Sequence, residues 1–248
     1  MKKLTVAVLA LALIGCTATP APEPTETSSL SGTVTVFAAA SLTDSFQEIA
    51  DAFTAENPEV EVVFNFGGSS GLAGQIVEAA PADVFAAASP ATMKTVTDAA
   101  LTEGDPVDFA TNVLEIAVPA GNPGAIVGLE DFANPDATIA LCAVEVPCGA
   151  AADKLLTEAG ITASVDTYEQ DVKGVLTKVE LGEVDAGLVY VTDVLVAGDA
   201  VEGIEVDSAP VKYPIAALND TAATAAFIQF VLSAKGQAIL TAAGFGAP

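Results

Sequence analysis

The stretch Val34-Thr35-Val36-Phe37-Ala38-Ala39-Ala40-Ser41-Leu42 opens with β-branched and aromatic residues, the composition of a strand. It then runs out into small residues and a serine. Apolar residues follow at helical spacing, at Leu42, Phe46, Ile49, Ala50 and Phe53. They predict a helix over 42–56, and Asn57-Pro58 ends it. A strand that feeds straight into a helix is half of a βα unit, and Ser41 stands at the junction. It serves there as a plain cap, with Ser41-x-x-Asp44 as a capping box. Alternatively it joins the free N–H groups of the helix start in facing a ligand above the strand end.

Outward from this stretch the alternation repeats. Strands are predicted over 60–66, 83–87, 113–118, 138–143, 186–190 and 213–218. Helices are predicted over 72–79, 90–100, 149–159 and 172–181, with a final helical region over 222–242 behind Asn219-Asp220-Thr221 as its cap. The last strand has the look of a return crossing. Alternating elements of this kind argue for an α/β fold with mainly parallel sheet.

Three further helix starts share the character of the first. Gly67-Gly68-Ser69-Ser70-Gly71 lets the backbone approach a ligand closely and offers two hydroxyls, but no Gly-Lys-Ser/Thr follows, so it is not a P-loop. Val146-Pro147-Cys148-Gly149 shapes a tight helix start at the positive end of a dipole. Glu169-Gln170-Asp171-Val172-Lys173-Gly174 is another. Tyr190 ends an apolar strand, where a phenol can donate a hydrogen bond. Each alone fits a cap, a turn or an interfacial aromatic. Together they place neutral donors at several strand ends, the usual ligand position in open α/β sheets. Such a set suits a fully ionised oxyanion, which needs donors only.

At these residues the chain resembles the periplasmic molybdate-binding proteins of ABC importers. The resemblance is carried by Val36-Phe37-Ala38-Ala39-Ala40-Ser41-Leu42, Phe66-Gly67-Gly68-Ser69-Ser70-Gly71-Leu72 and Ala80-Pro81-Ala82-Asp83-Val84-Phe85. It continues through Val146-Pro147-Cys148-Gly149, Asp171-Val172-Lys173-Gly174, Gly187-Leu188-Val189-Tyr190 and Gly244-Phe245. It implies a two-lobed type II periplasmic-binding-protein fold with the ligand in the interlobe cleft. The lobes would be 33–111 plus 213–248, and 112–212. It also implies the ligand contacts: hydroxyl and backbone N–H of Ser41 and Ser69, backbone N–H of Cys148 and Val172, and the Tyr190 hydroxyl. Cys148 departs from the family pattern, where a small Ala stands. The implied partners are a molybdate or tungstate oxyanion and a membrane permease, with no cofactor and a monomeric state.

The N-terminus agrees with export. Lys2 and Lys3 precede an apolar run over 4–14, too short to span a bilayer comfortably, and Leu13-Ile14-Gly15-Cys16 resembles a bacterial lipobox. The expectation is a signal peptide over 1–15, lipidation of Cys16, and a flexible Thr/Pro/Ser/Glu-rich linker over 16–32. In an exported protein the remaining pair, Cys142 and Cys148, is expected to form a disulfide, two reduced thiols being the alternative.

Charge and composition exclude other classes. The net charge is −25, with no Arg and no His, so a row of nucleic-acid phosphates could not be neutralised. Without His, a serine hydrolase around Ser41, Ser69 or Ser70 lacks its usual base. A Cys148 nucleophile lacks its partner, and zinc lacks ligands. A sulfate- or phosphate-binding protein and a non-transport surface lipoprotein stay open. The last would explain the tether and the acidity but not the clustered donors.

Overall fold

The computed structural model describes residues 30–248; the expected signal peptide, Cys16 and nearly all of the expected linker lie outside them. The strands are β1 (Gly32–Ala39), β2 (Val60–Gly67), β3 (Val84–Ala86), β4 (Glu103–Asn112), β5 (Leu114–Pro119), β6 (Ile139–Cys142), β7 (Thr167–Glu169), β8 (Ala186–Tyr190), β9 (Val201–Glu205) and β10 (Val211–Ala217). The helices are α1 (Thr43–Glu56), α2 (Ser69–Val77), α3 (Pro90–Asp98), α4 (Pro147–Ala159), α5 (Val172–Glu180), α6 (Val191–Ala197), α7 (Ala222–Leu232) and α8 (Ala234–Ala242).

These elements form two lobes, each built on a five-stranded sheet. The first sheet has the order β2-β1-β3-β10-β4 and the second β7-β6-β8-β5-β9. Both follow one plan. Three neighbouring strands run parallel, then one reversed strand (β10 or β5) pairs antiparallel with them and with a fifth strand at the edge. The sheets are therefore mixed rather than mainly parallel. Two connections join the lobes, one between β4 and β5 and one between β9 and β10.

In the first lobe both sheet faces are covered. Along β1 the alternation sends Val34, Val36 and Ala38 to one face, with Phe46, Phe53 and Phe227 from α1 and α7. Phe37 goes to the other face, with Leu72, Ile76 and Met93 from α2 and α3. Ring pairs such as Phe53–Phe227, 5.5 Å between centroids and near perpendicular, add to the apolar burial. In the second lobe Leu114, Ile116, Ile139, Leu156, Val175 and Leu188 share one core. No single helix among the described residues is long and apolar enough to cross a membrane.

Three local expectations are corrected. The final helical region is two helices, because Ser233 accepts the Gly236 N–H and starts α8 afresh. Helices α2 and α4 begin earlier than predicted, at Ser69 and Pro147. The donor-rich segments are therefore first turns rather than preceding loops. Ser41 is not the cap of α1: it lies inside a 3-10 turn, Ala40–Leu42, with no side-chain capping bond.

Candidate functional site

Strand ends and helix starts from both lobes meet at one place. β1 delivers Ser41, whose Oγ lies 2.9 Å from the Tyr213 hydroxyl. Because the chain turns as a 3-10 segment before α1, Ser41 lines the cleft instead of folding back on its own helix. β2 delivers Ser69 as the first residue of α2. Its Oγ accepts the Ala88 N–H at 3.0 Å, which leaves its own proton to be given elsewhere. Gly68 caps α2 without a side-chain bond, so the first-turn N–H groups have no partner within the helix. From the second lobe, Pro147 sets the first turn of α4 and leaves the Cys148 N–H at its open end. Asp171 caps α5 by accepting the Gly174 N–H at 3.0 Å, and Val172 is the first helical residue. Tyr190 closes β8.

Ser41, Ser69, Cys148, Val172 and Tyr190 all line a single cavity. It is small, about 20 Å³ in volume, against roughly 10–15 Å³ for one water. A compact ion of a few atoms suits this space. No lysine is among the lining residues, and Asp171 is their one carboxylate. The positive potential comes from helix starts.

The lobes touch around this cavity. The Ser70 hydroxyl donates to the Glu145 carbonyl at 2.7 Å. A Cβ added to Gly68 would stand 2.3 Å from the Gln170 carbonyl oxygen, so only a glycine allows this approach. Gly149 is constrained in the same way, its added Cβ falling 1.8 Å from the Ala143 carbonyl oxygen. That packing holds the α4 start against the end of β6, where Cys142 and Cys148 form a disulfide.

Residues 34–246 match the family model of the bacterial extracellular solute-binding proteins. This chain belongs to that family. The chain is 40% identical over 222 residues to the molybdate-binding protein ModA of Mycobacterium tuberculosis (strain ATCC 25618 / H37Rv), covering 87% of this chain and 85% of the relative. It is 33% identical over 197 residues to a putative ABC transporter substrate-binding lipoprotein, YvgL, of Bacillus subtilis (strain 168), covering 76% and 75%. Among solved structures it superposes on the substrate-binding domain of a putative molybdenum ABC transporter from Clostridium difficile. That match has a TM-score of 0.65 and 29% identity and covers 87% of this chain and 99% of the other. The chain is thus a solute-binding protein rather than an enzyme.

The electrostatics of the cleft suit a binding protein that takes an anion. The Tyr190 hydroxyl is buried and has no hydrogen-bond partner among the described residues. Burial holds its phenol well above the ordinary tyrosine range, and raises Tyr213 likewise. Both stay protonated and able to donate. Below them Asp193 is 1% exposed, and one of its oxygens accepts the Tyr190 N–H at 3.0 Å. Burial lifts its carboxyl to about 6, opposed by nearby Lys173. No group of three or more His, Cys, Asp or Glu among the described residues could hold a metal ion.

Sequence reasoning missed Tyr213, Ala88 and Asp193 as supports of the site. Tyr213 comes from the return strand, 172 residues from Ser41. The one local signal for Asp193 was an acid three residues after Tyr190 at a helix start.

Proposed function

We propose that the protein captures molybdate, and tungstate with it, in this cleft and delivers the ion to the membrane permease of an ABC importer. One observation carries the reading: a buried Tyr190 hydroxyl with no hydrogen-bond partner among the described residues lines a small cavity together with helix starts from both lobes and no cationic side chain. Ser41 and Ser69 would give hydroxyl and backbone N–H, Cys148 and Val172 backbone N–H, and Tyr190 its phenol. Hydrogen bonds to a charged acceptor in a site shielded from water are stronger than neutral ones. The relatives' names supply the ion. Tungstate follows because it carries the same charge at nearly the same size.

A lipid on Cys16 would hold the protein at the extracytoplasmic face of the membrane, with 16–32 as tether and 33–111 plus 213–248 against 112–212 as the lobes that close. The lipoprotein relative supports this anchor, and a monomer is sufficient for it. The test is titration calorimetry of the signal-free protein with molybdate, tungstate, sulfate and phosphate in turn. Heat from the first two with little from the others is expected. Heat from sulfate or phosphate alone would move the substrate while keeping the cleft. Silence from all four would overturn the reading.

A further inference from the structure

Lys173 follows directly on Val172 in the first turn of α5, yet it does not line the cavity. Its Nζ lies 3.0 Å from an Asp44 oxygen on α1 and 3.5 Å from an Asp193 oxygen on α6. Asp44 belongs to the first lobe, and Lys173 and Asp193 to the second. One contact therefore crosses the cleft, and the other stays within its lobe. Asp193 is anchored from behind, since its second oxygen accepts the N–H of Tyr190.

We infer that Lys173 is a positioning residue that latches the two lobes shut over the anion, held by buried Asp193 and captured on closure by Asp44. When the cleft opens, α1 leaves α5 and the Lys173–Asp44 contact breaks, while the Lys173–Asp193 contact persists. The lysine is thus already ordered in the open form, and closure does not bear the full entropy of fixing a long side chain. The buried carboxylate also ties the latch to the residue that carries the phenol. Its position in the chain explains why one of only eight basic residues stands beside an anion site without facing the anion.

A plain electrostatic role and a latch predict opposite signs for one substitution. If Lys173 served only to offset the anion's charge, Asp44→Asn would remove a nearby negative charge and tighten binding. If the pair is a latch, Asp44→Asn loosens binding. Asp44 is half exposed, so the expected loss is that of a surface ion pair, about two- to fivefold, mostly as faster dissociation. Lys173→Gln should weaken binding at least as much, and the double variant no more than Lys173→Gln alone.

The inference rests on the proposed anion-binding reading, so the cycle is run with whichever of the four anions the wild-type protein binds. Wild-type binding together with equal or tighter binding by Asp44→Asn overturns the latch and leaves the function standing. Additive losses in the double variant overturn it as well. If the wild type binds none of the four, the functional reading fails and the latch with it. Should Lys173→Gln fail to fold with Asp193 uncompensated, the sign of the Asp44→Asn effect still decides.

Discussion

Ser41 and Ser69 are held differently, and the difference bears on what each can give. The Ser69 oxygen already accepts from Ala88, so its proton is directed away from the backbone. The Ser41 oxygen shares a bond with Tyr213 in which either can donate. On the proposed reading, an anion in the cleft would draw the Ser41 proton, with Tyr213 donating to Ser41 in turn. Ser41→Ala and Ser69→Ala should each weaken molybdate binding by about 1–3 kcal/mol, read by calorimetry; unchanged affinity in both would remove these serines from the site. Asp193 makes a second prediction, on stability. Its carboxyl is raised to about 6 in the folded protein from 3.8, so the folded state holds this proton more tightly than the unfolded chain. The resulting stability is fully present below about pH 4 and is lost as pH rises through about 6, on the order of 3 kcal/mol. Since many other carboxylates titrate too, the measurement is the difference between wild type and Asp193→Asn in denaturant melts from pH 4 to 7.5. A wild-type loss no larger than the variant's would contradict the burial argument.

Among the elements, the first turn of α2 is the most exacting, because Gly68 brings the first lobe against the Gln170 carbonyl. The Gly68 backbone, φ −60° and ψ 123°, accepts an alanine without strain, so Gly68→Ala should fold normally. Its Cβ would meet the Gln170 oxygen at 2.3 Å only when the lobes close. The expected outcome is an unchanged melting temperature without ligand and at least about tenfold weaker anion binding, on the order of 1.4 kcal/mol. Wild-type affinity would show that the closed spacing is wider than described. Elements such as α1, β5 and α5 were legible because their apolar residues keep a clear period. β4 was not, and its start explains why: Glu103, Gly104, Asp105 and Pro106 carry no strand signal. β4 lies at the sheet edge, where Pro and charge are tolerated. α6 and β9 were missed as well, being short, seven and five residues. That these five residues could face one cavity was legible because each sits at a strand-to-helix change. Their supports were not, because contacts such as Ser41–Tyr213 and Lys173–Asp44 join segments more than a hundred residues apart.

At the scale of the whole molecule, the proposed function has a chain of net charge −25 capture a dianion. The conflict is one of rate rather than of affinity. Distant surface carboxylates act on the approaching ion over a Debye length, about 10 Å at 0.1 M salt, whereas the donors act only once the ion is in the cleft and sheltered from water. Repulsion should therefore slow capture at low ionic strength and fade as salt is added. The protein has no tryptophan and three tyrosines, one of which lines the cleft, so tyrosine emission in a stopped-flow mixer gives the association rate directly. Between 10 and 150 mM sodium chloride, roughly, the rate constant for molybdate should rise several-fold, the reverse of the salt dependence of a positively steered site. A rate that stays flat or falls would mean that the helix starts and Lys173 dominate the field at the cleft mouth, and that the acidic surface has no part in setting the speed of capture.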